Sequence, residues 1–177
     1  MHIVLVGLNH RTAPLELRER LAFPRADLPE AIARLRGQEG LLETAILSTC
    51  NRVEIYAAVP ELDGTVERLQ RFLSERARVD AALLSERLYS YVEPRSVEHL
   101  FAVTSGLDSM VLGEGEILHQ VKYAYSCAKA LGATGKVFNV LFQRALNAAK
   151  TVRAQTAIGR GCFSIGSVAV ELAEKVF

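Results

Sequence analysis

A cysteine with a neighbouring arginine is the part of this sequence best suited to chemistry. Cys50 lies in the segment LSTCNRVEIY, between two stretches predicted as β-strands, residues 44–49 and 53–59. A strand end holds a side chain rigidly, which suits a nucleophile, and the cation of Arg52 would favour the thiolate, the reactive form of cysteine. The alternative is a buried, inert cysteine beside a surface ion pair of Arg52, because free cysteines are common in cores. Spacing alone leaves both interpretations open.

Polar residues interleaved with glycines form a second group at a predicted helix start, in the segment SGLDSMVLGEGEILHQ. Glu116 and Gln120 are four positions apart and would share one face of that helix. Such a face could hold an amino or carboxyl group of a ligand. Acidic residues also complement the positive end of a helix dipole, which would explain Glu114 and Glu116 without any ligand.

Two histidines could exchange protons with a thiol. His99 stands alone on a predicted helix, where a histidine is more often structural, and it becomes a proton-transfer partner only if Cys50 lies close. His10 follows the first predicted strand and could face the same cleft. Cys127 is predicted in the core and Cys162 in a hinge. The cysteines and histidines show no CxxC, HxxxH or HExxH spacing, so no metal site is predicted.

The elements that must position these residues follow the order β-α-α-β-β-α-β. Strand-like segments cover residues 2–8, 44–49, 53–59 and 88–92, in the order of a ferredoxin-like split β-α-β-β-α-β fold with one extra helix. Asp27 is expected to cap the second helix. Three helical segments follow, at residues 96–106, 114–131 and 136–155. The predicted fold class is therefore α+β, with a C-terminal helical bundle packed on the sheet.

The charge of the chain is unevenly distributed, although its net value is only +1. Residues 1–116 carry 13 Arg and 18 Asp or Glu, whereas residues 117–170 carry seven Lys or Arg and no acid. This asymmetry points to a polyanion, with nucleic acid first, unless it marks only a solvated helix face. An apolar fraction of 50% excludes a disordered or collagen-like chain. Three widely spaced cysteines and the lack of a long apolar run predict a cytoplasmic protein with reduced thiols and no membrane anchor.

Three segments together resemble the N-terminal part of glutamyl-tRNA reductase: GLNHRTAP, STCNRVEIY and HLFAVTSGLDSMVLGEGEILHQVK. The resemblance covers almost the whole chain. It implies that Cys50 attacks the ester of glutamyl-tRNA(Glu) to give a thioester, which NADPH reduces to glutamate-1-semialdehyde in the first step of tetrapyrrole synthesis. A thiolate is a good nucleophile, which agrees with this chemistry.

The resemblance also assigns roles to residues of this chain. Cys50 and His99 would be catalytic, with His99 handling protons, and Arg52 would hold a substrate carboxylate with its planar fork. The chain departs from the family pattern at two positions: Glu116 stands where the family usually has Gln, and His119 where a small residue is usual. The substrate-binding residues implied are Thr49, Asn51, Arg52, Ser109, Glu114, Gly115, Glu116 and Gln120.

The domain organisation and partners follow from the same resemblance. Residues 1–158 would form a catalytic, glutamate-recognition domain, with an α+β part (1–93) and a helical part (94–158). Residues 159–177 would form a hinge and the first helix toward an NADPH-binding domain absent from this chain, which alone would then show only acyl-transfer or esterase activity. The full-length enzyme is expected to be a homodimer, and an aminomutase that takes the semialdehyde is a further expected partner. A non-catalytic RNA-binding module is the alternative function.

Overall fold

A four-stranded antiparallel sheet organises the chain, seen here in a computed structural model that describes residues 1–158 and position 173. The strands are β1 (His2–Asn9), β2 (Glu43–Ser48), β3 (Arg52–Val59) and β4 (Tyr89–Val92). Their order across the sheet is β2-β3-β1-β4. This is the ferredoxin-like arrangement, in which the two central strands are the first and third. The α+β fold class predicted from the sequence is confirmed.

Helices connect and cover these strands. The described helices are α1 (Leu15–Leu21), α2 (Leu28–Arg36), α3 (Thr65–Ala77), α4 (Ala81–Ser85), α5 (Arg95–Ser105), α6 (Glu116–Ala130) and α7 (Lys136–Gln155). Helix α4 was not predicted, because five residues are too few to show a helical period. Its one local signal is Asp80, whose carboxylate accepts from the backbone N–H groups of Ala82 and Leu83.

Two expectations about helix starts are wrong. The carboxylate of Asp27 makes no capping hydrogen bond to helix α2. It pairs instead with Arg76 of helix α3, at 2.7 Å. Helix α6 begins at Glu116, two residues later than predicted. The preceding loop turns at Gly106 and Gly113, which have φ angles of 79° and 78°, a region that side chains other than glycine rarely adopt.

The helical part is fastened to the sheet by a carboxylate from β2. The oxygens of Glu43 accept from the N–H groups of Val137 and Phe138, at 3.0 and 2.7 Å, in the first turn of α7. An anion there offsets the positive end of the helix and satisfies donors that have no partner within the helix. Nearby, Tyr56 of β3 meets the ring of Phe142 edge-on, with centroids 5.8 Å apart. The α+β part and the helical part therefore share one hydrophobic core.

The domain boundary predicted at residue 158 stays a prediction, because the residues directly after it are not described by the structure. The hinge and helix expected at residues 159–177, with Cys162, lie outside the described residues apart from position 173.

Gly7 leaves a space in the sheet between its two neighbours in the strand register. Gly7 pairs with Glu54 of β3 on one side and with Tyr89 of β4 on the other, so all three lie in one row across the sheet. A Cβ atom added at Gly7 would come within 2.6 Å of the carbonyl oxygen of Val53 and 2.8 Å of Cγ of Glu54. The missing side chain therefore leaves the space that the side chain of Glu54 uses.

Candidate active site

Cys50 lies in the tight loop between β2 and β3, and it is exposed. Thr49 shapes this loop: its hydroxyl oxygen accepts from the N–H groups of Asn51 and Arg52, both at 3.1 Å. The N–H of Thr49 in turn donates to the carbonyl of Arg52 at 2.9 Å. The interpretation of Cys50 as a buried core cysteine is wrong, and its side chain stands on a backbone that local hydrogen bonds hold in place.

The cation beside this loop is Arg18 of helix α1, which the sequence analysis missed. Its Nη1 donates to the carbonyl oxygen of Cys50 at 2.6 Å and to the side-chain oxygen of Asn51 at 3.2 Å. The N–H of His10 donates to the carbonyl of Asn51 at 2.9 Å. The end of β1 and helix α1 thus both hold the loop. No sequence spacing could have identified Arg18, because it lies 32 positions from Cys50.

Arg52 is buried, with 1% of its surface exposed, and its fork is filled by the protein itself. Nη1 donates to Glu54 at 2.8 Å, while Nη2 donates to the carbonyl and the carboxylate of Asp108, at 2.6 and 3.0 Å. Burial disfavours its charge, yet the Glu54 carboxylate raises the pKa of Arg52 above its usual value. The alternative of a surface ion pair is wrong. Pairing of Arg52 with a substrate carboxylate stays a prediction. Because Nη2 of Arg52 already donates to Asp108, the substrate would have to share that donor or displace the Asp108 carboxylate.

Glu54 is a fully buried carboxylate with donors on every side, and the sequence analysis overlooked it. Four groups contact its oxygens: Arg52 Nη1 at 2.8 Å, the hydroxyls of Tyr56 and Tyr89 at 2.7 and 2.6 Å, and His99 Nε2 at 2.8 Å. Burial alone would raise its pKa, but Arg52, His99 and Tyr89 lower the pKa of Glu54 to about 2. Its sequence signal was an acid inside the apolar strand VEIYAAV.

His99 of helix α5 belongs to this buried cluster. Its ring lies against Tyr89 and Tyr91 of β4, with centroids 5.4 and 5.2 Å away, and its side chain is 12% exposed. The only partner that the structure gives its Nε2 within the described residues is Glu54. A direct exchange of protons with Cys50 stays a prediction.

His10 lies near the other cations of the site. Its Nδ1 is buried and has no hydrogen-bond partner within the described part of the chain. Burial, followed by the charges of Arg11 and Arg52, lowers the pKa of His10. The neutral ring is therefore favoured beside the Cys50 loop.

The loop between α5 and α6 brings Asp108 and Ser109 to Arg52. Besides Arg52, the carboxylate of Asp108 accepts from Arg11 and, at 3.5 Å, from Asn9. The hydroxyl oxygen of Ser109 is buried and lacks a partner among the described residues. A buried polar atom without a partner is unusual in a folded protein, so Ser109 is suited to contact a ligand.

The remaining predicted residues lie around the start of helix α6. Glu114 is half-buried and Gly115 is exposed. The backbone carbonyl of Glu114 accepts from Arg153 of helix α7. Gln120 donates to the carboxylate of Glu116 at 3.1 Å, so the shared face predicted for these two residues is confirmed.

Glu116 and Gln120 line a cavity of about 270 Å³. His119, the second departure from the family pattern, lines it as well, and Ser48 at the end of β2 connects its wall to the Cys50 loop. The structure therefore joins Thr49, Asn51, Arg52 and Ser109 into one group through Arg52 and Asp108. Glu116 and Gln120 form a second group, at a cavity that Ile46 and Ser48 of β2 also line.

Among residues 1–158, no three His, Cys, Asp or Glu side chains come together as metal ligands would. Within the same residues, no helix combines the length and the apolar character needed to cross a membrane. Cys127 is half-buried against the core, and burial raises the pKa of its thiol.

The strand order defines a ferredoxin-like α+β domain. The exposed thiol of Cys50, on a loop held by hydrogen bonds, gives this domain a candidate cysteine nucleophile. Residues 6–156 match the family model described as the N-terminal domain of glutamyl-tRNAGlu reductase. The chain belongs to the glutamyl-tRNA reductase family and corresponds to its N-terminal domain.

Individual relatives agree with this assignment. The chain is 45% identical to the glutamyl-tRNA reductase of Gloeothece citriformis over 98% of its length, and 46% identical to that of a Synechococcus strain, also over 98%. The solved glutamyl-tRNA reductase of Methanopyrus kandleri superposes with a TM-score of 0.74 at 35% identity, covering 98% of this chain. The chain spans about 40% of the length of these relatives, 41%, 40% and 39% in turn.

Proposed function

We propose that this chain carries out the acyl-transfer half of a glutamyl-tRNA reductase reaction. The observation that carries the proposal is the exposed thiol of Cys50 on a loop held by Arg18 and by the backbone of His10, in a member of this family. The Cys50 thiolate attacks the carbonyl carbon of the glutamyl ester, and the bond to the terminal ribose oxygen of the tRNA breaks. That oxygen takes up a proton, and the glutamyl group remains on Cys50 as a thioester.

The surrounding residues suit the recognition of a glutamyl group. Ser109 follows Asp108, the partner of Arg52, and its hydroxyl has no hydrogen-bond partner among the described residues. The carboxylate of Glu116 can accept a hydrogen bond from the ammonium of the substrate. A glutamine at this position would accept that hydrogen bond through its neutral amide oxygen. Thr49 contributes by shaping the loop, since its oxygen already accepts two backbone N–H groups. Asn51, Glu114, Gly115 and Gln120 complete the proposed binding set.

The described residues do not fit the NADPH that the family uses. A dinucleotide site needs a parallel strand, a glycine-rich turn and a helix in succession, whereas the four strands here are antiparallel. The glycines at 113 and 115 follow a helix and a loop rather than a strand. We therefore assign the reduction to glutamate-1-semialdehyde to the part of the longer relatives that this chain does not match.

The experiment is incubation of the chain with glutamyl-tRNA, followed by mass analysis of the peptide that contains Cys50. We expect a glutamyl adduct on Cys50, slow release of free glutamate, and no semialdehyde when NADPH is added. Cys50→Ser should give no adduct, and Cys127→Ser is the matched control that should form it normally. A normal adduct in Cys50→Ser would remove Cys50 from the mechanism.

The comparisons give no support to the alternative of a non-catalytic RNA-binding module. The homodimer, the aminomutase partner and the cytoplasmic location remain predictions drawn from the family resemblance and the cysteine content.

A further inference from the structure

We infer that Glu54 is the positioning residue of this site, which fixes the guanidinium of Arg52 and holds the His99 ring with its proton on Nε2. Nδ1 is then the ring nitrogen left to take or give a proton during acyl transfer. This inference rests on the proposed function, because it assigns a task to groups of that same site.

The charge of Glu54 decides which nitrogen of His99 carries the proton. An ionised carboxylate accepts hydrogen bonds and cannot donate them, and Glu54 stays ionised because Arg52, His99 and Tyr89 hold its pKa at about 2 against the effect of burial. Each neighbour must therefore act as a donor. At 2.8 Å from Oε1 of Glu54, Nε2 of His99 must carry a hydrogen. In the neutral ring the other nitrogen, Nδ1, then carries a lone pair.

Arg52 and His99 are both held in a fixed orientation. Arg52 contacts Glu54 through Nη1 and Asp108 through Nη2, so its planar fork is held at both ends. The His99 ring is held at Nε2 by Glu54, and the tilted rings of Tyr89 and Tyr91 pack against it. One carboxylate thus sets the position of a cation and of a proton carrier that lie on different elements, β3 and α5.

The fold accommodates this carboxylate at a cost in stability. Burying an ion pair generally contributes little net stability, because both charges lose their water. Here β1 also has Gly7 in its interior, where a residue without a side chain weakens a strand. That glycine lies between Glu54 and Tyr89 in the register, so the tyrosine hydroxyl reaches across it to the carboxylate at 2.6 Å. A role in positioning accounts for an arrangement that packing alone does not require.

The first measurement uses the unchanged chain labelled with ¹⁵N-histidine. Two-bond ¹H–¹⁵N correlation distinguishes the two neutral tautomers of each histidine, and His99→Gln identifies the signals of His99. We expect the Nε2–H form at His99. The Nδ1–H form as the main species would overturn the inference, and this result does not depend on any variant of Glu54 being able to fold.

The second measurement is the rate of thioester formation in Glu54→Gln. The amide brings its own N–H donors toward Arg52, Tyr56, Tyr89 or His99, so the partners cannot all keep their positions. We expect a loss of roughly 10²-fold, the lower end of what positioned proton transfer contributes, together with a mixture of His99 tautomers. Glu75→Gln, in the exposed pair with Arg34 at 3.0 Å, is the matched control and should form the thioester at the original rate.

The outcomes separate the two proposals. If the unchanged chain forms no thioester, the proposed function fails whatever the tautomer of His99. If the unchanged chain forms the thioester and Glu54→Gln forms it equally fast, the proposed function stands and the role of Glu54 is wrong.

Discussion

At the scale of single residues, the guanidinium of Arg18 is the positive group that directly contacts the backbone of Cys50. The sequence places Arg52 two positions from the cysteine, which predicts that the Arg52 cation favours the thiolate. The side chain of Arg52 instead turns to the buried carboxylate of Glu54, where an unpaired anion would be very costly. Two arginines therefore lie near Cys50 in different ways, Arg18 through the loop backbone and Arg52 through the chain, and the effect of Arg52 on the thiolate stays a prediction.

Replacing Arg18 by Met should slow the acylation of Cys50. The variant keeps much of the aliphatic stem but loses the charge and the hydrogen bonds to the Cys50 carbonyl and the Asn51 side chain, each of which contributes about 1.5–3 kcal/mol when a charged group is involved. Arg20→Met, on the same helix but bonded to the carbonyls of Ala77 and Arg78, is the control. The test is the rate of thioester formation, and equal rates in the two variants would show that Arg18 has no special role at the loop.

The lowered pKa of Glu54 predicts a loss of stability in acid. In the unfolded chain this carboxyl titrates near its ordinary pKa of 4.5, whereas in the folded chain its pKa is about 2. A group with a lower pKa in the folded state stabilises the fold above the unfolded pKa, and this contribution disappears as the pH falls toward the folded pKa. Between pH 5 and pH 3 the free energy of unfolding should therefore lose about 2 kcal/mol through Glu54.

Urea denaturation of the original chain and of Glu54→Gln at the two pH values measures this contribution. The other carboxyl groups titrate in both proteins, so the difference between the two losses isolates Glu54. Parallel losses of stability in the two proteins would mean that folding does not lower the pKa of Glu54.

At the scale of elements, the carboxylate of Glu43 ties helix α7 to the edge of the sheet. Glu43→Gln removes the charge at the helix start and should lower the free energy of unfolding by about 1–2 kcal/mol. Glu39→Gln, at an exposed position before β2, is the control and should change it by less than about 0.5 kcal/mol. Thermal unfolding followed by circular dichroism measures both, and equal stability of the two variants would contradict the capping role.

The elements themselves were largely predictable from the sequence, and the reason is local. All four strands and the three long helices after residue 94 show the apolar pattern of their type, and the ferredoxin-like order follows from their succession. Helix α4 and the start of α6 were missed or misplaced because short segments and glycine loops carry no period. The Glu54 cluster was missed because it depends on register: Gly7, Glu54 and Tyr89 become neighbours only when β1 pairs with both β3 and β4.

At the scale of the whole molecule, the described part of the acid-free stretch, residues 117–158, contains most of helix α6 and all of helix α7. Within it, Lys122 and Lys150 line a second cavity of about 270 Å³ between these two helices, together with His119, Gln143 and Asn147. Lys122 and Lys129 are both exposed and lie seven positions apart on α6, which is close to two helical turns, so they share a face. If the substrate is an RNA, as proposed, this face, which lies in a stretch without acids, is suited to receive its phosphates.

Reversing Lys122 and Lys129 to Glu should therefore weaken the binding of glutamyl-tRNA and flatten its dependence on salt. Each phosphate contact that is lost lowers the slope of log K against log salt by about one, so a slope smaller by up to about two is expected. Replacing Arg71 and Arg87 by Glu changes the net charge by the same amount, at exposed positions within residues 1–116. This control should leave the slope close to its original value. Titration of tRNA into each protein at several salt concentrations gives the slopes. Equal slopes in the two double variants would mean that net charge alone attracts the RNA and that the α6 face is only solvated.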